Sequence, residues 1–159
     1  MEKQDRVAIV QQFGRTYRAF MSAFEAQVGL PLPRWRVLLA LHELGGDASQ
    51  KRLVERLRVD PGALTRQLKG LEGLGWISRS MDERDNRITN VRFTDAGRAV
   101  TQASMPRRNA FLDNTMAGLP DDALAALSGA LQLLEARIGE CAPAPRSAQK
   151  NVSITSTTR

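Results

Sequence analysis

Histidine and cysteine are almost missing from these 159 residues: each occurs once, as His42 and Cys141. One cysteine excludes an internal disulfide framework and any multi-cysteine zinc site. One histidine anchors no Ser/His/Asp set, and the sequence holds neither a Walker-type phosphate loop nor a G-x-G-x-x-G turn. Long apolar runs are missing too. The run VLLAL at 37–41 is far short of the roughly 20 residues that a bilayer span requires. The opening MEKQDRVAIV carries acidic groups and no extended apolar core, so it does not read as a secretory signal. Asp82, Glu83 and Asp85 form an acidic group, but arginines flank them and no histidine completes a metal site. The expectation is a soluble cytoplasmic protein, not an enzyme, with no cofactor, no metal and no membrane partner.

What is present begins with charge. The formal net charge is +6, and half of that excess lies after position 141, where Arg146, Lys150 and Arg159 stand with no acid. The body is therefore only mildly basic. That balance suits nucleic-acid binding without requiring it.

Periodicity organises the rest. Val10, Phe13, Tyr17, Phe20 and Phe24 are spaced 3, 4, 3, 4, a heptad-like stripe on a helix expected over 4–28. Gly29, Pro31 and Pro33 stop it, and a second helix is expected after Pro33, closed by Gly45-Gly46. Ser49 is the expected N-cap of a short helix through Leu57. Pro61 suits the first position of the next helix, whose Leu64, Leu68, Leu71 and Leu74 are expected to face inward until Gly73 and Gly75 end it. Two short helices joined by a tight turn make a helix-turn-helix. Trp76-Ile77 and Val91/Phe93 then bracket the charged segment RSMDERDNRITNVRFT, with Asp85-Asn86 as its turn: a two-stranded hairpin, or wing. Thr94 is the expected N-cap of a helix reaching about 117, which Pro106 should kink or weaken. A last helix carries Leu124, Leu127, Leu131, Leu134 and Ile138, again spaced 3, 4, 3, 4.

The fold class expected is mainly α with a small β-hairpin wing: a winged helix-turn-helix flanked by N- and C-terminal dimerisation helices. The boundaries are 1–31 for the first dimerisation helix, 32–98 for the winged module, 99–141 for the C-terminal helices, and 142–159 for a disordered tail. Matching seams at both ends either pack on each other within one chain or, as the favoured reading, are buried by a partner subunit in a homodimer.

Residues 32–98, LPRWRVLLALHELGGDASQKRLVERLRVDPGALTRQLKGLEGLGWISRSMDERDNRITNVRFTDAGR, resemble the MarR family of bacterial transcription regulators. The pieces that carry the resemblance are ALTRQLKGLEGLGWISR, the triplet Asp85-Asn86-Arg87, and FTDAGR, in that order. The resemblance implies a homodimeric repressor on a pseudo-palindromic, double-stranded DNA operator, released by a small aromatic carboxylate bound near the hinge between modules. It also implies that Arg87 enters the minor groove, with Asp85 orienting it through a salt bridge.

On this reading the helix from Pro61 enters the major groove. Thr65, Arg66, Gln67 and Lys69 lie opposite its leucines, and Ala63 at its start suits a thymine methyl. Arg pairs with guanine and Gln with adenine through two hydrogen bonds, whereas Thr and Lys more often meet phosphate. Further phosphate contacts are assigned to Ser49, Gln50, Lys51 and Arg52 at a helix start, and to Arg84 on the wing. Effector candidates are Tyr17, Arg18, Trp35 and His42, with Arg15 as a further cation, since an aromatic acid needs a cation and a ring. Trp35 and His42 read equally as core residues, and Tyr17 as part of the seam. The competing function is a nonspecific architectural DNA-binder, distinguished by its ratio of specific to nonspecific affinity at one salt concentration.

Overall fold

In the computed structural model, which describes residues 3–141, the order is α1 (Lys3–Val28), α2 (Leu32–Glu43), β1 (Asp47–Ser49), α3 (Gln50–Leu57), α4 (Pro61–Gly73), β2 (Ile77–Met81), β3 (Thr89–Phe93), α5 (Asp95–Met116) and α6 (Asp121–Cys141). The expected tail at 142–159 lies outside the described residues. The chain divides into two compact units, Met1–Met116 and Ala117–Arg159. No helix of the described residues is long and apolar enough to cross a membrane.

In the first unit an aromatic cluster ties α1, α2 and α5 together. Phe111 meets Phe20 and Phe24 edge-on, with centroids 5.1 and 5.4 Å apart, and Trp35 leans on Phe24 at 6.5 Å. Edge-to-face packing sets the positive rim of one ring against the negative face of another. The aliphatic part of the core follows in sequence: Leu38 and Leu41, then Leu53, then Leu64, Leu68 and Leu71, then Ile77 and Val91. The seam expected along α1 is split. Phe24 is 2% exposed and serves this core, whereas Val10, Phe13 and Tyr17 are 66%, 49% and 48% exposed.

In the second unit, α6 forms as expected after Pro120. Leu127, Leu131, Leu134 and Ile138 are all exposed.

Several boundaries differ from the sequence reading. α2 starts before Pro33, at Leu32, because a proline in the first turn lacks only an N–H that would have no partner there. Leu74 is exposed, since α4 ends at Gly73 and leaves Leu74 as its C-cap. Gly75 turns the chain toward β2 with a φ of 72°, in the left-handed region that glycine enters without penalty. Pro106 sits inside α5 without ending it.

The wing is not a bare hairpin. Its sheet has three strands in the order β1-β3-β2, all neighbours antiparallel. Val91 at the centre of β3 faces Ala48 on one side and Arg79 on the other. Three residues are too few to show a period of two, so β1 leaves no pattern in the sequence.

The sheet is fastened to α5 at one node. The Thr94 N–H donates to the Trp76 carbonyl (3.1 Å), and its hydroxyl donates to the Gly75 carbonyl (2.6 Å) while accepting the Gly97 N–H (3.1 Å). A Cβ at Gly97 would stand 1.8 Å from the Trp76 carbonyl oxygen. The glycine of FTDAGR is thus set by backbone-to-backbone contact.

Candidate nucleic-acid interface

Three elements of the first unit converge on one exposed, cation-rich face. α3 begins with a well-formed cap: the Arg52 N–H donates to the Ser49 hydroxyl at 3.2 Å. α4 is capped likewise by Asp60, whose carboxylate accepts the Ala63 N–H at 2.8 Å. An aspartate before an N1 proline is itself a cap signal, so this cap is legible in the sequence. Between these helix starts and the wing lies an open cleft of ≈ 500 Å³, lined by Ser49, Gln50 and Lys51 of α3, Pro61 of α4, and Arg87 and Ile88 of the wing. Ser49, Gln50, Lys51 and Arg87 are thereby brought together.

On α4 the candidates separate into three groups. Arg66 and Lys69 are exposed on the side opposite the buried Leu64, Leu68 and Leu71. Thr65 stands on the flank facing α3. Its hydroxyl donates to the Pro61 carbonyl (2.9 Å) and accepts from the Gln50 amide (2.7 Å). Gln50 and Thr65 therefore hold α3 to α4 through their polar ends. Ala63 and Gln67 stand on the other flank, half-buried, beside a small cavity of ≈ 120 Å³ that Arg36 and Val37 of α2 also line. Lys51 and Arg52 are exposed on α3.

The wing tip is built by two aspartates. Asp82 Oδ1 accepts the N–H groups of Arg84 (2.9 Å) and Asp85 (3.2 Å), and Oδ2 accepts the Asn90 amide (3.0 Å). These three bonds, with that from Arg84 first, hold the Asp82 carboxyl below its ordinary value, against a smaller opposing effect of burial. Asp85 then closes the tip. Its carboxylate accepts the Arg87 N–H (3.0 Å), and its carbonyl accepts the Ile88 N–H (2.9 Å). The expected Asp85–Arg87 salt bridge is replaced by this backbone bond, because an aspartate in a tight turn reaches the N–H two residues on before it reaches a side-chain end. The Arg84 and Arg87 side chains remain exposed.

Behind the tip, Arg79 of β2 grips Glu72 of α4 through Nε (3.1 Å) and Nη2 (2.6 Å). That contact holds the Glu72 carboxyl below its ordinary value. It joins the base of the wing to the end of α4.

No hydrogen bond or ring contact among the described residues joins the effector candidates to one another. Tyr17 and Arg18 are exposed on α1, where Tyr17 stacks on Phe13 at 6.4 Å. Arg15 bonds Gln12 on the same helix. Trp35 is in the core, and His42 is exposed near the end of α2. Sequence reasoning missed the cation that meets the ring of one of these candidates. Arg108 of α5 lies over Trp35 with its guanidinium carbon 5.9 Å from the centroid, and its Nε is buried with no hydrogen-bond partner. The two residues are far apart in the chain, so no local pattern links them. Among the described residues no group of three His, Cys, Asp or Glu side chains is placed to hold a metal ion.

Residues 30–89 match the model of the MarR family. Among curated proteins, the chain is 36% identical over 96 residues to YdgJ of Bacillus subtilis, an uncharacterized HTH-type transcriptional regulator. That match covers 60% of this chain and 58% of the relative, under two thirds of its length. It is 34% identical over 140 residues to the HTH-type transcriptional regulator TtmR of Methylorubrum extorquens, covering 79% of this chain and 68% of that one. Among solved structures it resembles the organohalide-sensing regulator RdhR-CbdbA1625 in its 2,4-dichlorophenol-bound form, with a TM-score of 0.77 at 16% identity over 86% of this chain and 82% of the other. It also resembles a cysteine-to-serine mutant of MarR from E. coli complexed with operator DNA, with a TM-score of 0.72 at 19% identity over 84% and 99% of the two chains.

Proposed function

Because the chain belongs to the MarR family, we propose that it is a homodimeric transcription regulator that binds a pseudo-palindromic DNA operator, most simply as a repressor. The observation that carries this reading is that Lys51 of α3 and Arg87 of the wing line one open cleft beside the start of α4, while Arg52, Arg66, Lys69 and Arg84 are exposed on the same three elements. Arg66 reads a base edge in the major groove, Lys51 and Arg52 neutralise phosphates at the start of α3, and Arg87 enters a narrow minor groove. The exposed apolar stripes of α1 and α6 supply the faces that a second subunit covers. The test is enrichment of duplexes from a random-sequence pool, followed by specific and nonspecific affinities at one salt concentration. A specificity ratio above about 1,000 supports the regulator. A ratio near one overturns it in favour of a nonspecific architectural protein.

The proposed effector is a small aromatic acid, and its proposed anchor is the Arg108–Trp35 pair. A cation already lying over a ring, with an N–H to spare, suits a carboxylate on an aromatic scaffold. A panel of aromatic acids should yield at least one that both raises the melting temperature and releases DNA, with both effects lost in Arg108→Met. A panel that does neither removes this part of the reading.

A further inference from the structure

Asp82 presents a puzzle of sign. It lies within the DNA-facing wing, near Arg84 and Arg87, and a carboxylate there repels phosphate. Electrostatics alone would have it weaken binding. The geometry suggests the opposite. One carboxylate collects the Arg84 and Asp85 N–H groups on one oxygen and the Asn90 amide on the other. The Asp82 N–H donates to the Ile88 carbonyl at 2.9 Å, so the same residue closes the loop from both its backbone and its side chain. Asn90 belongs to β3, where it pairs with Ser80 of β2 and with Ser49, the cap of α3. Asp82 therefore links the tip that carries Arg84 and Arg87 to the strand beside the start of α3.

We infer that Asp82 is a positioning residue for DNA binding: it holds the wing tip in its binding shape, and this ordering outweighs the repulsion of its charge. Without its carboxylate the segment from Glu83 to Arg87 keeps the Asp85 turn and the Asp82–Ile88 backbone bond but loses three side-chain bonds, and binding must then order a looser tip. The same hydrogen bonds, that from Arg84 first, favour its ionised form, which fits a carboxylate that stays charged while it accepts them. The inference rests on the DNA-binding reading and adds a residue that acts on the duplex only through others.

The experiment uses the full chain and a duplex enriched by the wild-type protein from a random pool. Wild type and four variants are compared by fluorescence anisotropy: Asp82→Ala, Asp82→Asn, Arg87→Ala and, to close the cycle, Asp82→Ala/Arg87→Ala. Asp82→Ala should bind about tenfold more weakly although it removes a negative charge. Asp82→Asn keeps an oxygen for the two N–H groups and should bind at least as tightly as wild type. The double variant should bind little worse than Arg87→Ala, since an unordered tip and a missing arginine forfeit the same contact. Melting temperatures and sedimentation should be unchanged in all four. If Asp82→Ala binds as well as or better than wild type, charge wins and the inference is overturned. If Asp82→Asn binds as weakly as Asp82→Ala, or the double loss is additive, positioning through the hydrogen bonds is overturned. A wild type that enriches no duplex overturns the DNA-binding reading, and the inference falls with it.

Discussion

At the scale of single residues, the chemistry of the interface divides between side chains that point outward and side chains that hold them. Arg87 belongs to the first kind. Its guanidinium is exposed while its N–H is bound by Asp85. Arg87→Ala should therefore weaken specific DNA binding by about 1–3 kcal/mol and leave the dimer intact, as read by band shift and sedimentation. Glu72 belongs to the second kind. Arg79 depresses its carboxyl below the ordinary value of 4.5. As pH falls the unfolded chain takes up its proton first, so the stabilisation is complete above about 4.5 and fades as pH drops through the lower folded value. Urea midpoints of wild type and Glu72→Gln should differ at neutral pH and converge in acid. Sequence alone placed Asp85 and Arg87 at the turn of the wing, because a turn motif is local and its residue types are constrained. It could not separate Thr65, which donates to Pro61 and accepts from Gln50, from Arg66, which is free to face DNA. Both are polar on the outer half of α4, and only the position of a neighbouring helix distinguishes them.

At the scale of elements, periodicity and caps were informative, and tertiary pairing was not. Ser49 and Thr94 cap their helices as their positions suggested. β1 was invisible because its signal is its partner β3, more than forty residues downstream. The α1 stripe was legible as apolar, yet only packing against Phe111 shows where its core half ends and its exposed half begins. The joint between sheet and α5 is the element-scale feature with the clearest mutational consequence. Any side chain at 97 drives into the Trp76 backbone, which cannot rotate away. Gly97→Ala should cost about 3 kcal/mol or more, seen as a drop in denaturant midpoint with an unchanged slope. Gly73→Ala, whose Cβ would meet nothing within 4 Å, should fold as wild type.

At the scale of the whole molecule, the exposed leucines of α6 matter most. Leu127, Leu131, Leu134 and Ile138 form an exposed apolar stripe along α6. A monomer rarely leaves such a stripe uncovered. Replacing Leu127 and Leu131 by glutamate should lower dimerisation and operator affinity together, measured by sedimentation and anisotropy on the same samples. A variant that remains dimeric would remove α6 from the interface. The three-stranded sheet bears on the operator itself. Because β3 is paired on one side with β1, which leads into α3, and on the other with the wing strand β2, the proposed major-groove and minor-groove contacts of a half-site would be cast as a single stamp. Such a stamp fixes the number of base pairs between the two segments it reads. Base changes within either segment then lower residence time in increments, whereas inserting or deleting one base pair between them throws a whole contact out of phase at once.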